Sequence, residues 1–273
     1  MAVCGLMLLA GVAAALWGGR FCPPDADIEL TSLETARRFV WYAALALVGG
    51  VLVGVTVIGA GGRLAMRLLA ITAGDAAQGQ VTEAEEVVGK ITVDGTIGFI
   101  VFNGIFGGVT AAALYLVTRR FLPPGRLGGA AFGLGLLVIL GTTVDPLRRE
   151  NKDFDIVGPG WLAVVVFTGL AVLFGLALAA VLARLSVWLP LLSRKLSVLV
   201  RYLGPAVVAA VTFSVSAGLL VVCLAVVVVT RWRPLVAAVR SHRWVVAGRA
   251  VTLALVTAAL PNAISSVVDI TTR

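Results

Sequence analysis

The chain has 273 residues, 60% of them hydrophobic and 13% charged, with a mean hydropathy of +1.04 and a formal net charge of +8. A soluble domain carries roughly 25% charged residues, so a chain this apolar cannot keep its surface in water, and lipid must be its main solvent. The basic residues gather at the ends of apolar runs and are not interleaved with aromatics on a soluble element, which excludes a nucleic-acid binder and points to anionic lipid headgroups.

In hydrocarbon every backbone polar group must be satisfied within the protein, so apolar runs of roughly 17–25 residues are read as spanning helices. The first run is 2–19. It has no basic region before it and no small-residue cleavage signature ahead of Arg20, so it is expected to be a retained helix. The polar loop 20–38 follows, with Pro23-Pro24, Asp25, Asp27, Glu29 and Glu34. Thr31 or Ser32 is placed to cap a helix there. The second span is 39–61, opened by Trp41 and Tyr42 at interface depth, with Gly50 and Gly54 spaced for close helix contact. It runs into GRLAMRLLA. Arg63 and Arg67 share one face there and Leu64, Leu68 and Ile71 another, which makes either an amphipathic surface turn or a polar extension of the span.

Residues 74–80 are rich in turn formers. Thr82 to Glu85 matches a capping box and predicts a short helix over 83–90, broken by Thr92-Val93-Asp94-Gly95. The third span is 96–118, with Gly104 and Gly108 as a GxxxG pair and Asn103 as interhelical hydrogen-bond glue. Arg119, Arg120, Pro123, Pro124 and Arg126 make a short basic turn. The fourth span, 127–144, carries Gly129 and Gly133. A loop dense in both charge signs leads to the fifth span, 161–183. Residues 185–200 hold Arg194 and Lys195 beside Pro190 and read as an interfacial amphipathic helix. The sixth span is 203–230. Arg231, Trp232, Arg233, Arg240, Arg243 and Trp244 then form a basic-aromatic band suited to interfacial lipid contacts. The seventh span is 245–268, kinked at Pro261-Asn262. The expected fold is all-α: one polytopic bundle over 1–273, about seven spans, with interfacial helices and a charged loop cap on one side.

Alternation of the spans puts 20–38, 119–126, 184–201 and the C-terminus on one side, and 61–95, 144–160 and 231–243 on the other. Basic residues are nearly balanced between the sides. The short acid-free turns 119–126 and 184–201 favour a cytoplasmic location for the first set, and the basic 231–243 connection opposes it.

Several membrane chemistries are excluded. His242 is the one histidine, too few for bis-histidine haem or a multi-histidine zinc protease. Cys4, Cys22 and Cys223 form no CxxC. No lysine follows Lys195, so the last span has no retinal Schiff base. No Asp or Glu lies deep in a span, which argues against a proton-coupled carrier. The positive signal is the pair of loops 61–95 and 144–160. Arg63, Arg67, Arg148 and Arg149 are candidates to fork onto a lipid phosphate or diphosphate. Asn151, Asp153 and Asp155, with Glu85 or Glu86, are the residues that would hold Mg²⁺. The leading expectation is a non-enzymatic component that binds or transports a lipid or small molecule without a cofactor. The alternative is a Mg²⁺-dependent transferase or terpene-cyclase-like enzyme acting on a prenyl or lipid diphosphate, with Asp153, Asp155, Glu85 and Glu86 as catalytic candidates.

The runs GGRLAMRLLAITAGDAAQGQVTEAEEVVGKITVDGT, LPPGRLGG and DPLRRENKDFDIVGPGWLAV resemble a family of bacterial multipass membrane proteins with no assigned activity. The resemblance covers roughly residues 38–190. It implies a bacterial inner-membrane location and brings no ligand or catalytic residue.

Overall fold

The computed structural model describes residues 1–24, 32–212 and 242–272. Within these, regular structure is helical apart from one antiparallel bridge between Val81 and Val87. Helix α1 spans Ala2–Leu16. Helix α2 spans Ser32–Val53, then passes through a π-helical stretch, Gly54–Gly59, into Ala60–Thr72. Helix α3 comprises Val93–Phe99, a π-helical stretch Ile100–Gly107, and Gly108–Thr118. Helix α4 is Arg126–Leu136 with a π-helical end, Leu137–Gly141. Helices α5, α6 and α7 are Gly160–Trp188, Leu196–Val211 and His242–Thr272.

Four stretches are long and apolar enough to cross a bilayer: Leu33–Thr72, Val93–Thr118, Gly160–Trp188 and Arg243–Thr272. Helices α1, α4 and α6 are apolar but shorter. At ~1.5 Å per residue the 15 residues of α1 cover ~22 Å, less than the ~30 Å of hydrocarbon. By length alone, then, four of the seven expected spans qualify among the described residues. The sixth span beyond Thr212 and the Thr31 cap lie outside them.

Helix α5 has no charged residue from Gly160 to Ala183 and is apolar all round, the pattern of a helix enclosed by protein and lipid. It packs against α1, α2, α4 and α7. The main core joins Trp41, Leu45 and Val53 of α2, Ala112 and Tyr115 of α3, Phe132 of α4, and Leu178 and Leu182 of α5. Helices cross closely where their glycines meet. A Cβ built on Gly50 of α2 would lie 2.5 Å from the Val109 Cα of α3, and one on Gly54 would fall on the Gly104 carbonyl oxygen. Gly129 and Gly175 make the equivalent crossing of α4 with α5. Without a hydrophobic drive between helices in lipid, this backbone proximity is what supplies packing energy.

One open alternative is settled and three local expectations are corrected. GRLAMRLLA continues α2 as a polar extension. Residues 83–90 are not helical, and the capping box does not form. Thr82 and Glu86 pair through their backbones, with Thr82 N–H donating to Glu86 O at 2.9 Å, and Glu85 adopts φ 59° at the turn. Thr92 does not break a helix. Its Oγ1 accepts from Gly95 N–H at 3.2 Å and caps α3, which therefore starts at Val93 and not at 96. Residues 185–200 do not form one interfacial helix either. Helix α5 continues to Trp188, and α6 starts at Leu196 after a loop around Pro190.

The helices give the bundle two ends. One gathers the 119–126 turn, the α5–α6 loop and the start of α7. There Trp41 Nε1–H donates to Leu189 O at 2.6 Å, the Arg119 guanidinium sits 3.5 Å over the Phe21 ring, and Phe121 packs at Gly248. The other end gathers loops 73–92 and 142–159 and the last turns of α7. There Thr72 Oγ1–H donates to Gly158 O at 2.7 Å, and Arg149 pairs with Asp269 at 3.0 Å. This reverses the expected direction of the last helix. Arg243 and Trp244 lie at the 119–126 end, and the last turn of α7 lies with the charged loops. Alternation allowed a single crossing between 203 and 230; the packing of Phe121 on Gly248 and of Ile270 on Gly160 fixes α7 the other way.

Candidate functional site

The site grows out of the polar extension of α2. Arg63 and Arg67 stand one turn apart on the same face. Arg63 Nη2–H donates to Thr96 Oγ1 at 3.2 Å, which ties α2 to the first turn of α3. Arg67 Nη1–H donates to Gly89 O at 3.2 Å, which ties it to loop 73–92. Gly89 itself has φ 85°, a conformation natural only to glycine, and this turns its carbonyl region toward the helix. The loop is a small hairpin on a core of its own. Val88 packs with Ala70 and Ala77, while Gly79 N–H donates to Val88 O at 3.1 Å and Val88 N–H to Gln80 O at 2.9 Å.

Loop 142–159 meets this hairpin at Glu83. The Glu83 carboxylate pairs with Arg148 and also accepts from Lys152 N–H at 2.9 Å. In return Glu83 N–H donates to Asp153 Oδ1 at 2.8 Å. The backbone hydrogen bond from Lys152, helped by the charges of Arg148 and Lys152, holds the Glu83 carboxyl below its ordinary value. Asn151 is buried, with its Oδ1 accepting from Asp153 N–H at 2.8 Å and its Nδ2–H directed to Asp145 Oδ1 at 3.4 Å. Desolvation raises the Asp145 carboxyl, with Arg148 opposing, in a residue that is exposed overall. Beneath the loop, Leu147 and Phe154 pack with Leu69, Ala163 and Ile270.

Between these parts lies a cavity of about 450 Å³. Arg63, Arg67 and Lys90 line it, as do Glu86, Asp145 and Asp153, while Met66, Phe99, Phe102 and Phe167 supply apolar wall. None of these three cations pairs with a carboxylate among the described residues. Arg63 Nε is shielded from solvent and has no hydrogen-bond partner there.

The four arginines expected to act together therefore divide. Arg63 and Arg67 line the cavity, whereas Arg148 is tied to Glu83 and Arg149 to Asp269. Asn151 and Asp153 line the cavity but serve the turn of loop 142–159, and Asp155 lies beyond it. Among the described residues no group of three or more His, Cys, Asp and Glu side chains gathers as a metal site, so Asn151, Asp153 and Asp155, with Glu85 or Glu86, do not form the expected Mg²⁺ constellation. Asn103 is not interhelical glue. It is exposed, has no hydrogen-bond partner among the described residues and lines the cavity. Lys90, Asn103 and Asp145 are polar cavity residues that sequence reasoning missed as site members. Asn103 carried a signal, since it is the one amide in the third span. Of the basic-aromatic band, Arg243 and Trp244 are exposed at the opposite end; Arg231, Trp232, Arg233 and Arg240 lie outside the described residues.

Comparison with protein-family models, with curated proteins and with solved structures finds no match to this chain.

Proposed function

We propose that this chain is a multipass protein of the bacterial inner membrane that binds a lipid or small amphipathic molecule through an acidic headgroup, without catalysing its conversion. The observation that carries this reading is the cavity itself: two arginines and a lysine, without carboxylate partners among the described residues, line a space walled by phenylalanine and methionine. Pockets of roughly 300–1,000 Å³ that are mostly apolar, with a few convergent polar groups, are the usual form of small-ligand sites. Guanidinium groups fork onto phosphate or carboxylate oxygens, and the shielded Arg63 Nε gains an acceptor when such a group enters.

The direction of α7 bears on which way the cavity faces. At the end opposite the cavity stand Arg20, Arg37, Arg38, Arg119, Arg120, Arg126, Arg184, Arg194, Lys195, Arg201 and Arg243, with Glu34 as their acidic company among the described residues. At the cavity end stand Arg63, Arg67, Lys90, Arg148, Arg149 and Lys152 among many acids. The direction of α7 moves Arg243 to that end, and with the short acid-free turn 119–126 there the positive-inside rule supports a cytoplasmic location for it. The cavity then opens on the outer side of the membrane.

The test is native mass spectrometry of the purified protein and of Arg63→Ala and Arg67→Ala. Wild type should carry a bound amphiphile that both variants lose, while Arg149→Ala keeps it. Equal ligand content in wild type and both cavity variants would overturn the proposal.

A further inference from the structure

The cavity is as rich in acids as in bases, and the two do not neutralise each other. Arg63 and Arg67 come from α2 and Lys90 from the hairpin beside it; Asp145 and Asp153 come from loop 142–159, and Glu86 from the hairpin. No ion pair joins the two sets, although all six line one space. The basic set has spare donors, including the shielded Arg63 Nε. The acidic set has spare acceptors. Among the described residues Asp153 accepts one backbone N–H, Asp145 receives only the long hydrogen bond from Asn151, and Glu86 has no side-chain hydrogen bond.

A simple anion would satisfy the first set and be repelled by the second. A ligand bearing an anion and a cation a few bonds apart satisfies both. Resting on the reading that the cavity holds an acidic headgroup, we infer that the ligand is a zwitterion of the phosphoethanolamine type, its phosphate on Arg63 and Arg67 and its primary ammonium toward Asp145, Glu86 and Asp153. A primary ammonium offers three N–H donors, which suits carboxylates with unfilled acceptor positions better than a quaternary ammonium with none. The apolar wall continues outward along α3 through Phe99 to Phe102, which is 67% exposed, so acyl chains attached to such a headgroup have a path into the bilayer. The same headgroup chemistry could arrive as a lipid or as free phosphoethanolamine, and the two are separable.

The experiment takes the full-length protein, delipidated in detergent, and offers an equimolar mixture of phosphatidylethanolamine, phosphatidylglycerol and phosphatidylcholine with identical acyl chains. Bound species are read by native mass spectrometry. Phosphatidylethanolamine should be retained about tenfold over each of the others, the discrimination expected from one charge-assisted hydrogen bond. Asp145→Asn, alone and with Glu86→Gln, should abolish that preference while leaving phosphatidylglycerol bound. Arg63→Ala should weaken all three lipids. A monodisperse gel-filtration peak confirms that each variant folds. Competition by soluble phosphoethanolamine at concentrations comparable to the lipid would identify the free molecule as the ligand; failure to compete identifies the lipid. Wild type that holds phosphatidylglycerol or phosphatidylcholine as well as phosphatidylethanolamine, or an Asp145→Asn,Glu86→Gln variant that keeps the preference, overturns the zwitterion. If Arg63→Ala still weakens binding in that case, the acidic-headgroup reading survives alone. If Arg63→Ala and Arg67→Ala change nothing, both fall.

Discussion

Gly54 offers a sharp test of how this bundle is held together. Its Cα faces Gly104 and Gly108 of α3, and an added Cβ would fall on the Gly104 carbonyl oxygen and 2.9 Å from the Gly108 Cα. Both obstacles are backbone, so no side chain can swing aside. The helices must part by more than about 1 Å to restore ordinary contact, and a gap of about 0.5–1 Å already forfeits a quarter to a half of each neighbouring dispersion contact. Inserting a methyl into a filled interface costs about 1–3 kcal/mol, and the rigid obstacle places Gly54→Ala at the upper end, about 3 kcal/mol. Gly169 of α5 is the control, because nothing lies within 4 Å of the Cβ it would gain. Gly169→Ala should stabilise by about 0.5–1 kcal/mol, the helix-interior preference of alanine over glycine. The assay is reversible unfolding in mixed micelles at increasing SDS, followed by far-ultraviolet circular dichroism. Gly54→Ala should unfold at markedly lower SDS than wild type and Gly169→Ala slightly higher. If the two variants behave alike, glycine proximity does not hold α2 to α3.

Two further outcomes follow from single contacts. Glu83→Gln should destabilise the protein at neutral pH, because the folded carboxyl lies below its ordinary value of 4.5, so its contribution is present above that value and is lost as pH falls through the folded value; a gap from wild type that persists in strong acid would refute this. Trp41→Phe should cost about 1–3 kcal/mol, since it removes the indole N–H from Leu189 O at a site where Trp41 is 1% exposed and leaves that carbonyl without its donor; unchanged unfolding would show that the bond contributes nothing.

Much of the architecture was legible as apolar runs, because lipid demands helices of a certain length and forbids open strand edges. The close crossings were legible too, in Gly50, Gly54, Gly104, Gly108 and Gly129. The hairpin at 81–88 was not. Thr82 and Glu85 satisfy a local helix-start pattern, yet burial of Val88 against Ala70 and Ala77 favours a turn with paired backbones. The β-branched pairs Val81-Thr82 and Val87-Val88, flanking four residues, were the signal for it. In the cavity, spacing alone put Arg63 and Arg67 on one face. What spacing could not show is that Glu83 and Asp269 occupy Arg148 and Arg149, since those partners lie far away in sequence.

The π-helical stretch Gly54–Gly59 sits just before the two arginines of the cavity. Every residue in a helix advances the azimuth of all that follow by about 100°. The widened turn therefore acts as a phase shift: upstream of it α2 presents Trp41, Leu45 and Val53 to the core, and downstream the same rod presents Arg63 and Arg67 to a polar space. A regular helix of unchanged sequence could not serve both demands, because one register would turn the guanidinium groups out of the cavity. The single wide turn lets one continuous helix face the apolar core along most of its length and a polar cavity at its tip.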